Sequence, residues 1–130
     1  MPAPVPNAAA RPRTMFDKIW DRHVVVARQN GPSLIYIDRD LIHEGSFHAF
    51  ADLRRRGLAV RRPRQVFGTA DHYVPTTGRT MADAATPQIA RMISQFDDNM
   101  RWGGVRAFGL SDARQGIVHV VGPEQGVTLP

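Results

Sequence analysis

The 130-residue sequence contains no cysteine. Disulfides are therefore excluded, as is any zinc or iron–sulfur centre held by thiolates of this chain alone. No run of the roughly 18 apolar residues that a membrane helix needs occurs, so no membrane partner is expected and a cytoplasmic location is. The opening Met1–Arg13 has no apolar h-region, which excludes a recognisable secretory signal. These residues are free of acid and hold two arginines, as a transit peptide does, but Pro2, Pro4 and Pro6 oppose the amphipathic helix of such a peptide. Residues 1–13 are thus expected to be a disordered leader. Lysine is almost missing, since 16 of the 17 basic residues are arginine and the net charge is +5. No internal repeat, heptad seam, H-E-x-x-H or paired-cysteine spacing, glycine-rich phosphate loop or G-x-S-x-G elbow is present.

What remains is an ordinary globular composition, 42% hydrophobic and 22% charged, in a chain long enough for one buried core. Thr14 and Asp17 form a capping-box pattern ahead of Phe16, Ile19, Trp20 and Val24, whose spacing predicts about three turns of helix. Leu34–Ile37 follows the turn residues Asn30, Gly31, Pro32 and Ser33 and reads as a strand, after which 38–44 is a loop carrying His43 and Glu44. Ser46 is placed to cap a helix with Phe47, Phe50, Ala51 and Leu53 on one face, ending at Gly57. Gln65–Thr69 is a second strand, running into Asp71 and His72 ahead of a break at Pro75.

Thr86 and Pro87 are a cap and a first helical residue, and Ile89, Met92, Ile93, Phe96 and Met100 follow helical spacing over 86–102. Gly103 and Gly104 stop that helix, and Val105–Phe108 is a third strand. Gly116–Gly122 fits a buried strand or a short helix equally well. Strands alternating with helices predict α/β layering, with the 86–102 stripe packed on a sheet that includes 34–37 and 65–69.

Six arginines fall at positions 54, 55, 56, 61, 62 and 64, which raises the possibility of a small basic nucleic-acid-binding module. No aromatics interleave with them to form a stacking platform, so we expect a solvated helix end, or contacts to other protein or to anionic substrate, and no nucleic acid. Of the five histidines, two stand out. His72 follows Asp71 at a strand end, where a carboxylate can orient an imidazole and favour its protonated form. His119 lies in an apolar run, where half-burial and a polar partner are expected.

Four blocks then carry a resemblance. The segment from Thr14 to Val25, Leu34–Glu44 with its acid–arginine turn and His43–Glu44 pair, Phe67–His72, and Gly116–Pro130 occur in the order of the large-subunit family of isopropylmalate dehydratases, in the aconitase superfamily. The resemblance covers residues 14–130 and implies an incomplete three-layer α/β/α domain, truncated at its C-terminal end. It further implies a hydro-lyase of leucine biosynthesis that interconverts 2-isopropylmalate and 3-isopropylmalate by dehydration and rehydration. Tyr73, Val74 and Pro75 depart from the family's pattern and admit a related methylmalate or dimethylmalate enzyme.

By the same resemblance, Asp71 orients His72, His72 serves the departing hydroxyl, and His119 is a second active-site histidine. A [4Fe–4S] cluster is implied for the complete enzyme, with no ligand for it in this chain. A small malate-type dicarboxylate substrate and a small subunit carrying the catalytic serine are implied as partners. The chain alone is expected to be inactive, and an inert truncated product is the remaining alternative.

Overall fold

A computed structural model describes residues 12–128, in two units divided between Ile37 and Asp38. Most of the expected leader, residues 1–11, lies outside the described residues. In the first unit, helix α1 (Met15–His23) begins as its sequence dictates: the Thr14 hydroxyl accepts the Asp17 N–H at 3.1 Å, and the Asp17 carboxylate accepts the Thr14 N–H at 2.9 Å. Phe16 and Trp20, one turn apart, stack with ring centroids 5.7 Å apart. The helix stops at His23 because three successive β-branched valines follow, and these prefer extended backbone. They form β1 (Val24–Val26), paired antiparallel with β2 (Leu34–Ile35).

Two expectations are corrected here. Val24 is in a strand and not in the first helix, and 34–37 contributes only a two-residue strand to this hairpin instead of joining 65–69.

The second unit is built on three parallel strands, β3 (Asp40–Ile42), β4 (Val66–Thr69) and β5 (Arg106–Phe108), in that order across the sheet. The strand beside β4 is thus 40–42, within the stretch expected to be a loop. Each strand is short, but its pleat serves two cores at once. Ile42, Val66 and Ala107 face Phe50 of helix α2 (Phe47–Arg55) and Phe96 and Met100 of helix α3 (Pro87–Gly103). Leu41, Phe67 and Phe108 face the other way, against Val121 of helix α4 (Val118–Glu124). The result is the expected helix–sheet–helix layering, and the 116–122 ambiguity resolves as helix.

Helix α3 carries the expected stripe, with Ile93, Phe96 and Met100 buried and Ile89 and Met92 half-buried. Thr86 Oγ1 accepts the Ile89 N–H at 3.2 Å, Pro87 opens the first turn, and Gly104 ends the helix at φ +64°. Ser46 precedes α2 but makes no side-chain cap. The turn that leads into the helix is capped by His43, whose Nδ1 accepts the Gly45 N–H at 3.1 Å. At the C-terminal end of α2, Arg54 lies 4.2 Å over the Trp102 ring and donates to buried Asn99 at 3.2 Å, while Arg55 and Arg56 both pair with Asp52. Arg54, Arg55 and Arg56 of the arginine cluster are therefore engaged within the fold. No helix among the described residues is long and apolar enough to cross a membrane.

Gly68 sits at the point of closest approach between sheet and helix: a Cβ there would meet Met100 Sδ at 2.8 Å, Phe96 Cζ at 3.0 Å and Ala107 Cβ at 3.1 Å. Gly68→Ala should therefore overpack the core and lower the unfolding free energy by about 1–3 kcal/mol, read as a reduced urea midpoint. An unchanged midpoint would contradict this packing.

Beyond β5, Arg114 grips the Asp112 carboxylate through Nε at 3.0 Å and Nη2 at 2.8 Å, and its guanidinium lies 4.2 Å over the Phe108 ring. These side-chain hydrogen bonds, helped by the Arg114 N–H, hold the Asp112 carboxyl down at about 2. A carboxyl depressed on folding contributes fully above its ordinary value near 3.8 and loses that contribution as pH falls towards 2. An NMR titration should give Asp112 a midpoint near 2; an ordinary midpoint would show the grip to be absent.

Candidate active site

Parallel α/β sheets place ligands beyond the carboxyl ends of their strands, and here β3 and β4 leave the sheet side by side. Ile42 is paired with Gly68, so two residues further along each strand stand Glu44 and Ala70. Glu44 is 1% exposed. A carboxylate taken out of water is unfavourable unless hydrogen bonds replace its hydration. Three main-chain donors do so: Oε1 accepts the N–H of Asp71 at 3.0 Å and of Tyr73 at 3.1 Å, and Oε2 accepts that of His72 at 3.2 Å.

The opposite side of the same turn is held by the segment that enters α4. Thr69 Oγ1 donates to the Gly116 carbonyl at 2.8 Å, Gln115 Nε2 to the Ala70 carbonyl at 2.7 Å, and the Ala70 N–H to the Phe108 carbonyl at 3.0 Å. Asp71 Oδ2 accepts the Val118 N–H at 3.1 Å, in the first turn of α4. The exit of β4 is thus clamped between Glu44 and residues 115–118.

Onto this frame the chain places His72 with half of its side chain exposed, its Nδ1 3.4 Å from Asp71 Oδ2. The separation exceeds a good hydrogen bond, so the contact is a close approach of the ring to the carboxylate and not a full hydrogen bond. Asp71 itself is only 10% exposed. The His43 ring stacks on His72 with centroids 3.9 Å apart and 27° between planes. Held orientation, an adjacent carboxylate and an open face are what an imidazole needs to pass a proton to a substrate oxygen.

His119 stands apart from this pair. It was expected to be half-buried, and it is exposed. The helix explains the difference: α4 turns Val121 and Gly122 into the core, which rotates His119 and Val120 outward. His119 lines an open cleft of about 800 Å³ with Leu41, Val118, Pro123 and Glu124, and neither Asp71 nor His72 is among its described lining residues. The link between the two places is Val118, which neighbours His119 and hydrogen-bonds Asp71.

His43 and Glu44 received no role from the residue pattern, because the partners of Glu44 are main-chain N–H groups that no side-chain motif announces. One ligand atom each of His43, Glu44 and His72 lies within 4.8 Å of the others. A ring nitrogen binds a metal in the plane of its ring, and two imidazoles stacked 27° from parallel with centroids 3.9 Å apart hold their lone pairs in separate, nearly parallel planes. The His43 Nδ1 lone pair is in addition used by Gly45. As arranged, the three residues do not converge on one ion. An iron–sulfur cluster does not fit the donors of this chain either, since it needs thiolates and there are none.

Residues 17–130 match the model of the aconitase family (aconitate hydratase). A 3-isopropylmalate dehydratase large subunit from Roseiflexus castenholzii is 50% identical over 125 residues, spanning 92% of this chain and 26% of that protein. One from Cytophaga hutchinsonii is 44% identical over 120 residues, spanning 91% of this chain and 25% of that protein. The chain thus spans about a quarter of the length of these relatives. No solved structure matches.

Removing the Glu44 side chain would leave three N–H groups without their acceptor, at about 1–3 kcal/mol for each that stays dry. Glu44→Ala should therefore cost about 3 kcal/mol or more in denaturant unfolding and speed amide exchange at residues 71–73. Unchanged stability with unchanged exchange would show that the carboxylate does not hold the turn.

Proposed function

The chain belongs to the aconitase family, and on that premise we propose that it supplies the acid–base pair Asp71–His72 to a hydro-lyase interconverting 2-isopropylmalate and 3-isopropylmalate. The observation that carries the proposal is the half-exposed His72 ring beside the Asp71 carboxylate at the exit of a parallel strand. The substrate class is supported by two relatives, each named a 3-isopropylmalate dehydratase large subunit.

His72 in its protonated form hands a proton from a ring nitrogen to the substrate hydroxyl. The carbon–oxygen bond breaks and the oxygen leaves as water. The electron pair of the neighbouring C–H bond forms the double bond, and the proton of that bond passes to a base supplied by another segment or subunit. Asp71 orients the His72 ring, and in rehydration neutral His72 takes a proton from the attacking water while the base returns its proton to the neighbouring carbon. His119, on a cleft joined to the pair through Val118, is proposed as a second active-site histidine. The [4Fe–4S] cluster of such an enzyme would have to be held by cysteines of another segment. A small subunit partner and a cytoplasmic location belong to the same proposal. A nucleic-acid module is less favoured, because Arg54, Arg55 and Arg56 are already engaged with Trp102, Asn99 and Asp52.

The test is a chimera in which residues 14–128 replace the matching quarter of the Roseiflexus castenholzii large subunit, assembled with its small subunit. The chimera should turn over isopropylmalate, and His72→Ala within it should lower turnover by about 10²–10⁴ with the cluster absorbance intact. Near-normal turnover in that variant would defeat the assignment.

A further inference from the structure

Five arginines of this chain pair with aspartates: Arg13 with Asp21, Arg55 and Arg56 with Asp52, Arg101 with Asp98, and Arg114 with Asp112. At the other end of the parallel sheet, away from the exits that carry Glu44 and His72, the pattern changes. Arg39 directly precedes β3, Arg64 stands two residues ahead of β4, and Arg106 is the first residue of β5. The alignment of the three strand starts brings these side chains to one cleft of about 200 Å³, whose lining among the described residues includes no aspartate or glutamate.

Arg106 is fixed there rather than loose. Its Nη2 donates to Gln125 Oε1 at 2.9 Å, and its guanidinium carbon lies 5.4 Å from the Phe67 ring centroid and 5.6 Å from that of Phe108. Stacking of this kind orients a guanidinium while leaving other N–H groups at its edge free to donate. Arg39 spends one donor on the Asp38 carbonyl at 3.0 Å. Three gathered cations with no acid among the described lining residues repel one another, and they create a local potential that a multivalent anion relieves.

We propose that Arg39, Arg64 and Arg106 form a binding site for a small tetrahedral oxyanion of the phosphate class, at the amino-terminal edge of the sheet and separate from the Asp71–His72 pair. The guanidinium fork matches phosphate oxygens two at a time. Three forks around one centre suit a dianion with three or more oxygens better than a single carboxylate. The volume, below the roughly 300–1,000 Å³ of sites for drug-sized ligands, selects a small anion or one phosphoryl group and not a whole nucleotide. A polynucleotide is also disfavoured, since it needs a charged track and this is one compact locus. Exposure of all three arginines places the affinity in the weak range, at about millimolar.

The experiment is a titration of the full chain with inorganic phosphate and, separately, with glycerol 3-phosphate, followed by amide NMR shifts at ionic strength held constant with chloride. Saturable shifts centred on Arg39, Arg64 and Arg106 are expected. Arg64→Gln and Arg106→Gln, each checked for retained fold by circular dichroism, should each weaken binding about tenfold, while His72→Ala leaves it unaltered. Tighter binding of glycerol 3-phosphate would assign the phosphoryl group of a metabolite, and equal binding the free ion; both support the site. Non-saturable shifts, equal affinity in the Arg64→Gln variant, or RNA binding that phosphate does not displace would overturn it.

Discussion

A carboxylate can be buried in a small α/β unit only if something nearby supplies donors, and for Glu44 the donors are three consecutive main-chain N–H groups. The consequence runs outward in both directions. Towards β3, the demand for that contact fixes how far the strand extends before its chain must turn into α2. Towards β4, it converts residues 71–73 from a free loop into a defined turn, and the direction of that turn decides where the Asp71 and His72 side chains go. Asp71 is then close enough to cap Val118, which ties the start of α4 to the same point.

The two-sided core is the second constraint, and it depends on the first. Strands of three or four residues have few positions to spend, and here alternate ones serve α2 and α3 on one face and α4 on the other. With so few ladder bonds, register rests on the side chains and on the clamped exit of β4. Gly68 allows α3 to lie against the middle of the sheet. The Asp71–His72 turn is thus attached to a layered frame on both sides, which the proton-transfer role proposed for it requires.

Much of this was legible in the sequence. The α3 stripe has five apolar residues at helical spacing with a cap and a proline at its start, a pattern few other structures satisfy. Gln65–Thr69 and Val105–Phe108 read as strands because β-branched and aromatic residues concentrate there between turn residues. The layering, the Asp71–His72 pair and the family resemblance followed from those elements and their order. Three features were hidden. β3 spans only Asp40, Leu41 and Ile42, too few for a period of two to register, while the more β-prone Leu34–Ile37 drew attention to the wrong segment. The outward face of His119 depends on which residues of a seven-residue helix pack inward, and an apolar run does not show that. The role of Glu44 depends on a contact 27 to 29 residues away in sequence, made by backbone groups that every residue possesses.

The placement of Asp71 and His72 rests on hydrogen bonds between the Glu44 carboxylate and the turn at 71–73, and these can be observed directly. Scalar couplings across hydrogen bonds, measured by NMR on protein labelled with carbon-13 and nitrogen-15, report which carboxylate carbon is joined to which amide nitrogen. The Glu44 side-chain carboxyl carbon should couple to the amide nitrogens of Asp71, His72 and Tyr73. Loss of all three couplings in a folded sample, or their transfer to another acceptor, would contradict the account.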